Sequence, residues 1–274
     1  MPTVPTRIGP IAFTEQGSGP PVVLLHANPG DSRDYGAIVP ELAHSHRVIA
    51  LDWPGYGSSP APNPPSSASA ILYADALEDF VGELGLDQAV FVGNSLGGFA
   101  ATRLAITNPD RVCALVLVDS GGFTKHNPLS RRFCRIKGSE AVTRRSAGAF
   151  ARLYLRKRTP LVKEIIARAG AGRRDPATVA VDAAVWRSFI DPAHDLRDRA
   201  EAITAPTLLL WGSRDPVLPL RTDGRAAAAA IPGARLVALK TGHMPYAEDP
   251  DAFLAELTPF LKEVHSEAAA SSTL

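Results

Sequence analysis

The stretch Val90-Phe91-Val92-Gly93-Asn94-Ser95-Leu96-Gly97-Gly98-Phe99-Ala100-Ala101 constrains this chain more than any other. An apolar run stops at a turn of small residues and a helix-compatible run follows at once, so the order is strand, sharp turn, helix. Ser95 sits at the apex with Gly93 and Gly97 two residues to either side, the G-x-S-x-G spacing that lifts a serine hydroxyl onto a strained strand-to-helix turn. The glycines answer a steric requirement, since a residue held in such a backbone conformation leaves no room for a Cβ on the neighbouring turns. The helix that follows brings its free N–H groups and positive dipole end to the same point, which favours a developing oxyanion beside Ser95.

Strand and helix patterns alternate around that element. Residues 8–14 read as a strand, 22–25 as a continuous apolar run suited to a central strand, and 47–51 as the next strand. Apolar residues at helical spacing mark 35–43 and 71–84, the latter closed by Gly85, and 60–65 is a proline-rich exposed loop. After the Ser95 turn, 99–106 continue as helix until Asn108-Pro109, and 112–118 form the sixth strand, ending at Asp119. From Gly121-Gly122 to about Glu201 the core pattern lapses into three amphipathic helical stretches, 139–157, 160–170 and 176–190. Residues 206–212 and 235–239 return to strand, 226–230 is helix by propensity, and 251–264 forms a closing helix; 266–274, small and polar, is expected to fray.

Four motifs appear in order: His26-Ala27-Asn28-Pro29-Gly30, Asp52-Trp53-Pro54-Gly55-Tyr56-Gly57-Ser58, the Ser95 turn, and Gly212-Ser213-Arg214-Asp215 with Gly242-His243. Together they make the chain resemble the α/β-hydrolase superfamily over residues 8–120 and 202–264. The resemblance implies an α/β-hydrolase fold, a mostly parallel central sheet with helices on both faces and a helical cap inserted after the sixth strand. The core would then be 1–120 and 202–274, and the cap 121–201.

The activity implied is that of a cofactor-independent serine hydrolase cleaving a carboxylic ester, thioester or lactone through an acyl-enzyme. A serine hydroxyl needs a base to take its proton as it attacks. By resemblance His243, late in the chain after Gly242, is that base, and Asp215 is the acid that holds its ring. The superfamily sometimes places the acid after the sixth strand, where Asp119 stands, but the Gly-x-x-Asp context favours Asp215. The backbone N–H groups of Asn28 and Leu96 would form the oxyanion hole, with His26 supporting the Asn28 loop, although the family usually has Gly where this chain has Ala27. Asp52 reads instead as a carboxylate tying its loop to nearby backbone N–H groups.

Other activities are compatible with parts of this pattern. Gly93-Asn94-Ser95 resembles the carbon–carbon bond hydrolases of aromatic ring cleavage, which usually follow the histidine with Trp where this chain has Met244-Pro245. Haloalkane dehalogenases bind halide through an Asn at the place of Asn28, yet they need an Asp nucleophile followed by Trp, whereas here Leu96 follows Ser95. A perhydrolase or cofactor-free lyase on the same triad, and a non-catalytic ligand receptor on this fold, complete the alternatives.

The formal net charge of +1 advertises no nucleic-acid partner, and no apolar run is long enough for a secretion signal or an integral membrane span, so a cytoplasmic location is expected. Cys113 and Cys134 make neither a disulfide framework nor a metal set, and there is no phosphate-binding G-x-x-x-x-G-K or zinc-binding H-E-x-x-H; no cofactor and no metal are expected. The charge is not evenly spread, however. Between Lys125 and Arg174 fifteen Lys or Arg face only Glu140 and Glu164. Such a field would draw in an anionic small-molecule substrate, an acidic carrier or a membrane surface. The plainer account is a set of solvated helix faces whose Arg stems cover apolar surface.

Overall fold

A computed structural model of the chain describes residues 1–271. Eight strands, β1 (Thr3–Val4), β2 (Ile11–Gln16), β3 (Pro21–Leu25), β4 (Arg47–Leu51), β5 (Ala89–Asn94), β6 (Val112–Val118), β7 (Thr207–Gly212) and β8 (Arg235–Leu239), form one sheet in the order β1-β2-β4-β3-β5-β6-β7-β8. β2 runs antiparallel to β1 and β4, and every later pairing is parallel. The period of two explains why these runs are apolar throughout. Val22, Leu24, Val90, Val92 and Val116 face one core, while Val23, Leu25, Phe91, Leu115 and Leu117 face the other, so both sides are buried under helices.

The helices are α1 (Val39–Leu42), α2 (Ala70–Glu83), α3 (Leu96–Thr107), α4 (Pro128–Lys137), α5 (Glu140–Tyr154), α6 (Pro160–Gly172), α7 (Pro176–Ser188), α8 (Arg225–Ala230), α9 (Pro245–Glu248) and α10 (Pro250–Ser271). Four of them, α4 to α7, lie between β6 and β7.

Local chemistry accounts for where the structure departs from the sequence reading. Residues 8–14 are not one strand, because Gly9, at φ 114°, exchanges backbone hydrogen bonds with Thr6 in a turn and pairing resumes only at Ile11. The expected helix over 35–43 breaks into a 3₁₀ turn, Ser32–Tyr35, capped by Asp31, and the single turn of α1. The insert has four helices rather than three. In α4 the residues Arg131, Arg132, Arg135 and Lys137 mask the apolar rhythm, but Asn127 caps the start and Pro128 takes the first position, where its missing N–H is harmless. The closing helix runs on to Ser271, beyond the expected fraying point at 266, and residues 272–274 of that expectation lie outside the described residues.

Candidate active site

β5 delivers Ser95 to the carboxyl edge of the sheet in a conformation few residues adopt, with φ 53° and ψ −110°. Backbone bonds hold it there: Ser95 N donates to Val118 O at 3.1 Å, and Ser95 O accepts from Phe99 N and Gly121 N. The flanking glycines are required by contact. A Cβ on Gly93 would stand 2.4 Å from Gly97 O, and one on Gly97 would stand 2.1 Å from Leu25 O.

His243 follows β8 and is buried with Asp215, which follows β7; its Nδ1 lies 2.7 Å from Asp215 Oδ2. That bond engages Nδ1 and leaves Nε2 as the other ring nitrogen. Asp215 Oδ1 accepts from Val217 N at 2.8 Å, which sets the carboxylate plane.

Asp119 lies behind this pair. Its two oxygens accept from Gly212 N at 2.9 and 3.2 Å, and it has positive φ, 39°. Burial, together with the neighbouring Asp215 charge and the side-chain hydrogen bond to it, pushes the Asp119 carboxyl well above the usual range. Asp119, Asp215 and His243 are the one group among the described residues with ligand atoms spaced to hold a metal ion, all within 4.8 Å of one another. These atoms are already hydrogen-bonded: His243 Nδ1 to Asp215 Oδ2, Asp215 Oδ1 to Val217 N, and Asp119 to Gly212 N.

The Asn28 loop is braced from below. Trp53 N donates to His26 Nε2 at 2.9 Å, Trp53 Nε1 donates to His26 O at 2.9 Å, and burial keeps the His26 imidazole neutral by lowering its pKa. Tyr56 OH donates to Asn28 Oδ1. Asp52 behaves as a tie, accepting from Ser32 N at 2.7 Å and Ser58 N at 2.8 Å. Among the described residues neither Asn28 N nor Leu96 N donates to another group, as expected of Leu96 at the first position of a helix.

A cavity of about 100 Å³ brings the expected residues together: Asn28, Ser95, Leu96 and His243 share its wall with Phe133, Phe150, Tyr154 and Trp186 from the insert. No Lys or Arg lines it. A larger cavity of about 200 Å³, walled by Asp31, Asp34, Arg168 and Asp182, touches neither Ser95 nor His243.

Two residues that the sequence did not single out hold this arrangement. Asn94 donates through Nδ2 to Val118 O at 2.9 Å and to His243 O at 3.0 Å, and accepts from Tyr246 OH, so the strand leading to Ser95 also fixes the histidine loop. Glu248, fully buried, accepts through Oε2 from Arg156 N and Lys157 N at 2.8 Å and from Gly242 N at 3.0 Å, and through Oε1 from Met244 N. Tyr154 O accepts from His243 N at 3.1 Å. The α5–α6 link and the histidine loop are therefore one bonded unit. Nothing local in the sequence marks it, since Glu248 is followed at once by Asp249, Pro250 and Asp251.

A family model described as the α/β hydrolase fold matches residues 20–250. The chain belongs to that family. Its similarity to an uncharacterised protein of Mycobacterium tuberculosis is 32% identity over 91% of this chain and 77% of the relative. A second relative from the same organism, named haloalkane dehalogenase 2, is 27% identical over 91% of this chain and 90% of its own. Among solved structures, a thermophilic esterase from Thermogutta terrifontis superposes on this α/β hydrolase with a TM-score of 0.81 at 26% identity, covering 96% of this chain and 98% of that one. No helix among the described residues of this α/β hydrolase is long and apolar enough to cross a membrane.

Proposed function

We propose that this α/β hydrolase is a cofactor-independent serine hydrolase, cleaving a neutral carboxylic ester, thioester or lactone that carries a compact apolar or aromatic group. One observation carries the reading: Ser95, on its strained turn, shares a cavity with His243, whose other ring nitrogen is engaged by Asp215. Ser95 Oγ attacks the acyl carbonyl while His243 Nε2 takes its proton. The oxyanion so formed accepts from the N–H groups of Asn28 and Leu96, each worth about 3 kcal/mol in comparable sites. The tetrahedral adduct collapses, the leaving oxygen or sulfur takes the proton back from His243, and water activated by the same imidazole releases the acid.

Residues 121–201 act as a cap in this reading, because α4, α5 and α7 supply the rings that wall the cavity over Ser95. Those rings and the lack of any Lys or Arg in the wall favour a neutral substrate over the anionic one suggested by the cap's charge. Dehalogenation needs a carboxylate where Ser95 stands. The test is labelling with a fluorophosphonate probe beside a panel of phenyl and short alkyl esters. The expected result is one label, on Ser95, lost together with turnover in Ser95→Ala. Labelling elsewhere, or turnover that survives the substitution, would overturn the assignment.

A further inference from the structure

Five large apolar side chains are exposed among the described residues, and four belong to α4 and α5: Leu129 (76%), Phe133 (43%), Ile136 (48%) and Leu153 (53%). On a helix of 3.6 residues per turn, Leu129, Phe133 and Ile136 fall within about 60° of arc. The adjoining sector carries Arg131, Arg132 and Arg135, while the opposite flank buries Cys134 and Lys137. α5 runs back along α4, with Lys137 Nζ 3.0 Å from Ser146 Oγ and the Phe133 and Phe150 rings 6.1 Å apart. Continuing that pairing brings Leu153 to the same end as Leu129. Arg144, Arg145 and Arg152 are exposed on α5, and none of them, nor Arg132 or Arg135, has a carboxylate partner among the described residues.

From this face we infer that the α4–α5 pair docks on an anionic lipid surface. Apolar tips standing out from a helix beside a bank of arginines match the two layers of a lipid interface: the tips enter the acyl boundary and the guanidinium groups meet phosphate. The exposed Arg132, Arg135, Arg144, Arg145 and Arg152 supply the long-range attraction. Phe133 belongs both to the exposed stripe and to the wall of the Ser95 cavity, so docking sets that wall of the cavity against the lipid. An apolar molecule dissolved in the membrane would then reach the site without crossing water.

Co-sedimentation of the full chain with vesicles tests this, comparing phosphatidylcholine alone with phosphatidylcholine mixed with phosphatidylglycerol. Binding is expected only to the mixed vesicles and should weaken as salt rises. Two exposed double variants, L129S/I136S and R132E/R135E, should each weaken it by about tenfold while leaving turnover of a water-soluble ester unchanged, since none of the four residues lines the cavity. The binding assay does not depend on catalysis, so it stands or falls apart from the proposed reaction. No binding to mixed vesicles at low salt would overturn the inference, as would binding that L129S/I136S leaves intact. Self-association that this variant abolishes, without any vesicle binding, would make the stripe a protein contact and overturn it too.

Discussion

Two carboxyls lie close to His243, and substituting each by its amide should give opposite results. In Asp215→Asn the fold keeps its shape, but Nδ1 of His243 loses a buried acceptor at 2.7 Å, and the imidazolium formed during attack loses its counter-charge. The corresponding change in a serine-protease triad lowers kcat by roughly 10⁴-fold, or about 5 kcal/mol of activation free energy. Asp119→Asn is different. The amide keeps a donor for Asp215 and an acceptor for Gly212 N, and Asn tolerates the positive φ at this position, so kcat should stay within about tenfold of wild type. Asp119→Ala removes both bonds and leaves buried polar groups unpaired at about 1–3 kcal/mol each, which should appear as lost stability. The assay is kcat on p-nitrophenyl acetate for all three variants, with urea midpoints measured alongside. A loss for Asp119→Asn as large as that for Asp215→Asn would refute the division of labour, and a mild Asp215→Asn beside a severe Asp119→Asn would transfer the acid's role to Asp119.

Gly97→Ala should destroy turnover and soluble expression, because its Cβ would meet Leu25 O at 2.1 Å; an active, stable variant would mean the elbow is looser than described. His194 is buried against Phe99 and its pKa is pushed down from 6.5 to about 3. The unfolded chain therefore takes up a proton below pH 6.5 that the folded chain refuses, and stability should fall as pH drops through that window, by up to about 1.4 kcal/mol per pH unit. Denaturation midpoints between pH 7 and 4 check this, and His194→Asn should flatten the slope; an unchanged slope would show that His194 is not its source. Finally, kcat/KM for matched neutral and carboxylate-bearing water-soluble esters should show the same salt dependence, since no cation lines the cavity, and a steeper fall for the charged ester would restore an anionic substrate.

The parts of this site that were legible in sequence are those in which chain order and side-chain chemistry coincide. Ser95 lies on a strand-to-helix turn whose glycines are packed against backbone, and Asp52 bonds only to N–H groups of loops around its own strand end. The rest depends on contacts between distant segments. Nothing local distinguishes Asp119 as a carboxyl that holds its proton more tightly than usual: that follows from its burial beside Asp215, a neighbour that only the pairing of β6 with β7 provides. Asn94 looked like a residue of the elbow, yet its amide spans 149 positions to His243 O. The basic segment misled in another way. Arg168 pairs with Asp31 and Asp34, Lys157 pairs with Asp249, and Lys137 is buried over the Phe150 ring, so a linear count of charge did not tell which of these side chains would meet solvent.

Glu248 joins the α5–α6 link and the histidine loop through backbone N–H groups alone, and that limits how the protein can be remodelled. The bonds ask nothing of the side chains at Arg156 and Lys157, but they do require the chain to pass Gly242 in one path. Any replacement for the insert between β6 and β7 would therefore have to meet the histidine loop along an equivalent of residues 154–157, whatever helices flanked it. Splicing inside that stretch would displace the carbonyl that receives His243 N, and the imidazole would lose its seat although Ser95, Asp215 and His243 all remained.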